Sequence, residues 1–309
     1  MLRFSPMMKR ISLLLVLAAT GALSMTVAAY QQPAAAPAGT RAIDAVKLKD
    51  TLYVLTTSTP GDQATFSGGN VAVFITDSGV TLVDTKLATW GPALLDAVKK
   101  ITNKPVTRII NTHTHGDHTG NDDKFGATVD IVAHENTKAN MEKMDAFKGD
   151  KAQFLPKKTY KDKLTLGSGK DRIDLYYFGA GHTNGDTFVV FPALRVLHTG
   201  DLFAWKDGPF CDRANGGSCV SLPQTLAKAI AGIKDVDTII PGHSPMQTPK
   251  DLQEFQRFTA DLAASAEAAM KAGKSVDEAT APFKVDKYPG YKNERVKAAV
   301  QAVYDELKK

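Results

Sequence analysis

Residues 111–120 read NTHTHGDHTG and place His113, His115, Asp117 and His118 within six positions, using three of the seven histidines in the chain. The stretch continues a strand-like run, VTRIIN (106–111). Period-2 geometry therefore predicts that His113 and His115, two residues apart, aim their imidazoles the same way. Gly116 is expected to let the backbone turn sharply and send Asp117 and His118 to a second location. The cluster reads as two half-sites. Neutral imidazole and carboxylate are donors that suit Zn²⁺. Surface histidines with Thr and Asp caps are the alternative, and four potential ligands in six residues after a buried strand weigh against it.

Three later segments repeat the pattern. GAGHTNGD (179–186) sets His182 behind the run IDLYYF (173–178), HTGD (198–201) ends LRVLHTGD (194–201) on Asp201, and VDTIIPGH (236–243) ends on His243. Each is a ligand-type residue at the C-terminal end of an apolar run. Strand-like segments are also expected at 51–59, 70–79, 80–86, 128–134 and 186–191. Helices are expected at 91–101, where Leu94, Leu95, Val98 and Ile101 have helical spacing, at 135–147 and near 222–233. From 251 the character changes to two amphipathic helices, 251–273 and 293–309, joined by a Pro-containing stretch.

With Asp84 of LVDTK, these motifs occur in the order found in the metallo-β-lactamase-fold superfamily, and the chain resembles a member of it over residues 48–250. The resemblance implies an α/β fold, an αββα four-layer sandwich, with 251–309 as a helical C-terminal extension packed on it. It implies that His113, His115 and His182 hold one metal, Asp117, His118 and His243 a second, and that Asp201 bridges them. Two Zn²⁺ per chain are expected, with iron as an alternative loading. Asp84 is expected to support the ligand loop through hydrogen bonds, while His134 and His198 are read as packed or supporting residues. Phe203, Trp205 and Phe210 are candidate walls of a substrate pocket, with Lys206 and Arg213 nearby.

The resemblance further implies hydrolysis of an acyl compound, an amide such as a β-lactam, an ester or a thioester, by a metal-bridging hydroxide, with Asp117 orienting it and shuttling its proton. Clinical β-lactamases of similar fold carry a cysteine where this chain has Asp201, and lactonases carry a tyrosine where it has Ala204. A glutathione thioesterase would be expected in the cytosol with a basic C-terminal patch, so export argues against it. A persulfide dioxygenase with one iron held by two histidines and an aspartate is the rival reaction class. A lactonase, a phosphodiesterase and a non-enzymatic zinc-binding protein are the remaining alternatives.

The outer features concern location and partners. Arg3, Lys9 and Arg10 precede the apolar run ISLLLVLAATGALSMTVAA, which ends in small residues at Ala28 and Ala29. This is the order of a signal peptide, 1–29, followed by a flexible linker, 30–47, and it implies a periplasmic or secreted protein with no stable membrane association after cleavage. An uncleaved N-terminal anchor is the alternative. With 43% apolar and 23% charged residues the composition is globular, and the formal +5 falls to about +2 once the signal is removed. That charge is dispersed and too weak for nucleic acid, so the expected partner is a small molecule. Cys211 and Cys219, the only cysteines, are expected to form a disulfide in an oxidising compartment.

Overall fold

The computed structural model describes residues 42–56 and 65–308. The expected signal segment and most of the expected linker lie outside the described residues. One sheet holds seven strands in chain order: β1 (Ala45–Lys49), β2 (Leu52–Leu55), β3 (Val71–Thr76), β4 (Gly79–Val83), β5 (Val106–Ile110), β6 (Asp130–His134) and β7 (Lys158–Tyr160). The second holds five: β8 (Lys163–Leu166), β9 (Ile173–Tyr176), β10 (Phe188–Phe191), β11 (Val196–Gly200) and β12 (Thr238–Pro241). β1 starts inside the stretch expected as linker.

Alternating side chains decide the layers. Val54, Ala72, Phe74, Val83 and Ile110 of the first sheet meet Leu175, Val189, Phe191, Val196 and Ile240 of the second in one apolar cluster. Phe74 and Phe191 pack with ring centroids 5.0 Å apart. The opposite face of the first sheet, through Val73, Leu82 and Ile109, packs on helix α1 (Gly91–Ile101). Leu94 of α1 has no exposure, and burying a leucine of this kind is worth about 1.5–3 kcal/mol. Between β5 and β6 lies the single turn α2 (Gly116–Thr119), and α3 (Glu135–Met141) follows β6.

The outer face of the second sheet is covered by α4 (Leu222–Gly232), α5 (Pro249–Lys271), α6 (Val276–Thr280) and α7 (Val296–Leu307). α5 starts with Pro249 at its first position and a reciprocal cap between Thr248 and Asp251, the arrangement that satisfies otherwise orphaned amides. Phe255, Phe258, Leu262, Val300 and Val303 seal this layer. The result is the expected four-layer αββα sandwich with C-terminal helices. Among the described residues no helix is long and apolar enough to cross a membrane.

Strand direction locates the site. β4, β5 and β6 run parallel in one sheet, as do β11 and β12 in the other. Parallel neighbours end on the same side, so both sheets deliver their carboxyl ends to one edge, where open α/β folds place their ligands.

Candidate metal centre

All seven expected ligands meet at that edge, in three groups able to hold a metal: His113 with His115 and His182, His113 with His118 and Asp201, and Asp117 with His118 and His243. Because His113 and His118 each belong to two groups, the clusters adjoin. The route to this placement differs from the expected one. β5 stops at Ile110, so the loop beyond it, not strand alternation, aims His113 and His115. Gly116 makes no special turn: a Cβ there would meet nothing, and Gly116–Thr119 forms a helical turn. The tight glycines are elsewhere. A Cβ on Gly69 would overlap the His118 ring, and one on Gly242 would overlap Asp201 Oδ1.

Hydrogen bonds fix which nitrogen faces inward in four of the five rings. His115 Nε2 donates to Asp212 Oδ2 at 2.7 Å, leaving Nδ1 beside His182 Nε2 at 2.9 Å. His182 Nδ1 donates to the Phe210 carbonyl at 2.8 Å, and His118 Nδ1 donates to Asp84 Oδ2 at 2.7 Å. The Thr112 hydroxyl donates to Asp84 Oδ2 at 2.8 Å, so its oxygen accepts from His113 Nδ1 at 2.9 Å. Each of these four rings therefore turns its second nitrogen toward the common centre, the orientation that coordination requires, whereas His243 Nδ1 is buried with no hydrogen-bond partner among the described residues. His113 Nε2 and Asp201 Oδ1 are buried with no hydrogen-bond partner among the described residues. Orphaned donors of this kind, in a set of imidazoles and carboxylates, fit divalent metal.

The electrostatics agree. Burial drives His113 well below the usual imidazole range and pushes His182 down to about 4, so both are neutral donors at physiological pH. Burial opposes charge on His118 too, but Asp201, Asp117 and Asp84 outweigh it and raise that ring well above the usual range. Burial likewise opposes charge on Asp201, and His243 and His118 overcome it. The second group is a position that attracts positive charge.

The supports match expectation in part. Asp84, with no exposure, also accepts from the Thr112 amide at 2.8 Å. It sits at φ 66, with Lys86 at φ 64, a left-handed conformation that costs on the order of 1–2 kcal/mol in a residue with a Cβ. His198 is buried, with Nε2 donating to the Asn70 carbonyl at 3.1 Å, and His134 stacks on Tyr177 at 4.0 Å. Phe210 is 52% exposed, its ring 6.1 Å from His115, and Trp205 lies 5.8 Å from His243. Phe203 is no pocket wall: it has no exposure and stacks on Phe255 of α5 at 4.7 Å. Lys206 is committed to Asp251 at 2.6 Å.

Cys211 and Cys219 are bonded, closing the loop that carries Asp212. Sequence reasoning missed Asp212, whose only signal was a carboxylate inside the short cysteine loop. It also missed Asn70, whose side chain donates to the Pro241 and Ser244 carbonyls at 2.8 and 2.9 Å and pins the turn bearing His243.

A two-sheet α/β sandwich with histidines and aspartates gathered at the strand ends defines a metal-binding protein class. The chain belongs to the metallo-beta-lactamase superfamily, whose sequence profile matches residues 64–243. It is 31% identical over 169 residues to the Metallo-beta-lactamase type 2 of Elizabethkingia meningoseptica, covering 49% of this chain and 58% of that one. It is 30% identical over 210 residues to the 2,4-dinitroanisole O-demethylase subunit alpha of Nocardioides sp. (strain JS1661), covering 65% of this chain and 60% of that one. The chain thus spans less than two thirds of either relative. The solved metallo-beta-lactamase from Pontibacter korlensis shares the fold at a TM-score of 0.59 with 22% identity, covering 71% of this chain and 99% of that one. TMB-1 does so at a TM-score of 0.58 with 16% identity, covering 71% and 98%.

Proposed function

We propose that this protein is an exported, zinc-dependent hydrolase of small acyl compounds, amides such as β-lactams, esters or thioesters. Two metal ions would be held by His113, His115 and His182 on one side and Asp117, His118 and His243 on the other, with Asp201 between them. The observation that carries this reading is the set of inward-facing nitrogens on His113, His115, His118 and His182, each set by a hydrogen bond on the opposite ring nitrogen. Bound zinc would supply Lewis acidity, lowering the pKa of water and polarising an acyl oxygen.

The chain's own residues supply the rest. Asp117 is the most exposed carboxylate of the cluster, its side chain 20% accessible against 6% for Asp201. Held ionised by His118 and His243 against the opposing effect of burial, it can accept a hydrogen bond from an attacking water and orient it. Phe210 and Trp205 flank the two groups and give the mouth an apolar, aromatic lining that favours an acyl or aryl substituent. The O-demethylase relative adds an aryl methyl ether, outside the acyl class, to the compounds worth testing.

Metal content of protein taken from its native compartment, followed by a small hydrolase panel, tests the proposal. About two zinc ions per chain, with turnover lost in His115→Ala, are expected. One iron per chain with oxygen consumed in the presence of a persulfide would assign the site to dioxygenase chemistry. Zinc-dependent phosphodiester cleavage without acyl hydrolysis would overturn the substrate class.

A further inference from the structure

Behind the histidine loop lies a polar cluster that no ligand or support role uses. Asn111, where β5 ends, and Asp122, four residues past His118, are both buried, at 0% and 2% exposure. Asn111 Nδ2 donates to Asp122 Oδ1 at 3.2 Å, and the Thr85 hydroxyl donates to the same oxygen at 2.7 Å. The other oxygen of each residue, Asn111 Oδ1 and Asp122 Oδ2, is buried with no hydrogen-bond partner among the described residues. Asp122 forms no ion pair there either. The charged groups facing it are the carboxylates Asp84, from the end of β4, and its neighbour Asp123, both unfavourable to a further negative charge. Two orphaned acceptors on a pair already joined by one hydrogen bond lack one thing, a proton.

We propose that Asp122 is held as a neutral carboxylic acid whose Oδ2–H donates to Asn111 Oδ1, making acid and amide a reciprocally bonded pair that locks the two ends of the histidine loop together. Asp122 is then a positioning residue. The pair joins through Thr85, whose amide donates to the His118 carbonyl at 2.7 Å and whose hydroxyl accepts from the Asn121 amide at 3.2 Å. The segment bearing Asp84 and both ends of the loop bearing His113, His115 and His118 thus meet on one proton. Burial pushes the Asp122 carboxyl up to about 8, which accords with that proton staying in place at neutral pH.

The sign of the linkage makes the test specific. A carboxyl raised from 3.8 to about 8 on folding contributes stability that is full below its unfolded value and is lost as pH rises through its folded value. Asp122→Asn keeps every hydrogen bond, its amide donating to Asn111 Oδ1, but needs no proton. Its thermal midpoint should therefore gain on wild type progressively from pH 5 to pH 8, by several degrees in all. A wild-type infrared band from a protonated carboxyl at neutral pH, absent in the variant, is the companion expectation and does not depend on how stable the variant is. A wild type without that band, with Asp122 ionised and a buried water bridging the two orphaned oxygens, overturns the proposal. So does an Asp122→Asn protein that is less stable than wild type by an amount that does not narrow as pH rises. Neither outcome depends on which compound is hydrolysed.

Discussion

His115 in the first metal group and His118 in the second each donate an outward ring nitrogen to an aspartate at 2.7 Å, yet the two supports are built differently. Asp84, which holds His118, has no exposure, ends a central strand and also ties Thr112. Asp212, which holds His115, is 17% exposed and stands in the loop between two bonded cysteines, steadied by the Asn215 side chain at 2.7 Å. The Phe210 carbonyl that orients His182 belongs to the same loop region. Asp84 thus anchors the second group directly and His113 of the first through Thr112, while the first group is completed by a surface loop that comes late in the chain. Support drawn from the core couples metal binding to folding, whereas support drawn from a loop leaves it adjustable.

The largest effect that would sharpen this contrast is expected from Asp84→Ala. It leaves His118 and the Thr112 amide buried without a partner, a loss of about 3–5 kcal/mol, and should lower the thermal midpoint as well as the metal content. An Asp84→Ala protein with full stability and both ions would break the comparison. Asp212→Ala comes next: about 10–100-fold weaker binding of one ion, as loss of a ligand's supporting carboxylate produces, with the thermal midpoint of metal-free protein little changed. Competition with a chelator measures it, and equal weakening of both ions would count against separate supports. The smallest effect is expected from Cys211→Ser with Cys219→Ser, a few-fold loss at the first ion only, because Asp212 keeps its bonds to the Ala214 and Asn215 amides. Loss of the second ion first would contradict it.

The legible part of the molecule was the part written in local pattern. The strands that lead to His113, Asp201 and His243 are apolar runs followed within three residues by a ligand-type residue, so both the core and the site could be read from sequence. Three strands were not foreseen, β1, β7 and β8, and all three lie at sheet edges. Their sequences, AVKLK, KTY and KLTL, carry lysines of the kind that protect edges from pairing with another chain. The same charges erase the hydrophobic signal. Phe203 was misjudged because a sequence window shows that a phenylalanine follows Asp201, not that α5 returns to cover it. Asp212, Asn70 and the Asn111–Asp122 pair were invisible for the same reason: their partners are 97, 171 and 11 residues away, and nothing at either position announces the other.

Gly69 and Gly242 divide the site for any future divergence of this protein. Because a single added carbon at either would strike His118 or Asp201, selection or mutagenesis can hardly reshape the floor without displacing those side chains. Phe210, half in solvent, and Trp205 at the rim carry no such constraint. Variants with altered appetite for substrates should therefore arise at the rim and keep their metal content, so that a library built there explores new chemistry from a fixed reactive base.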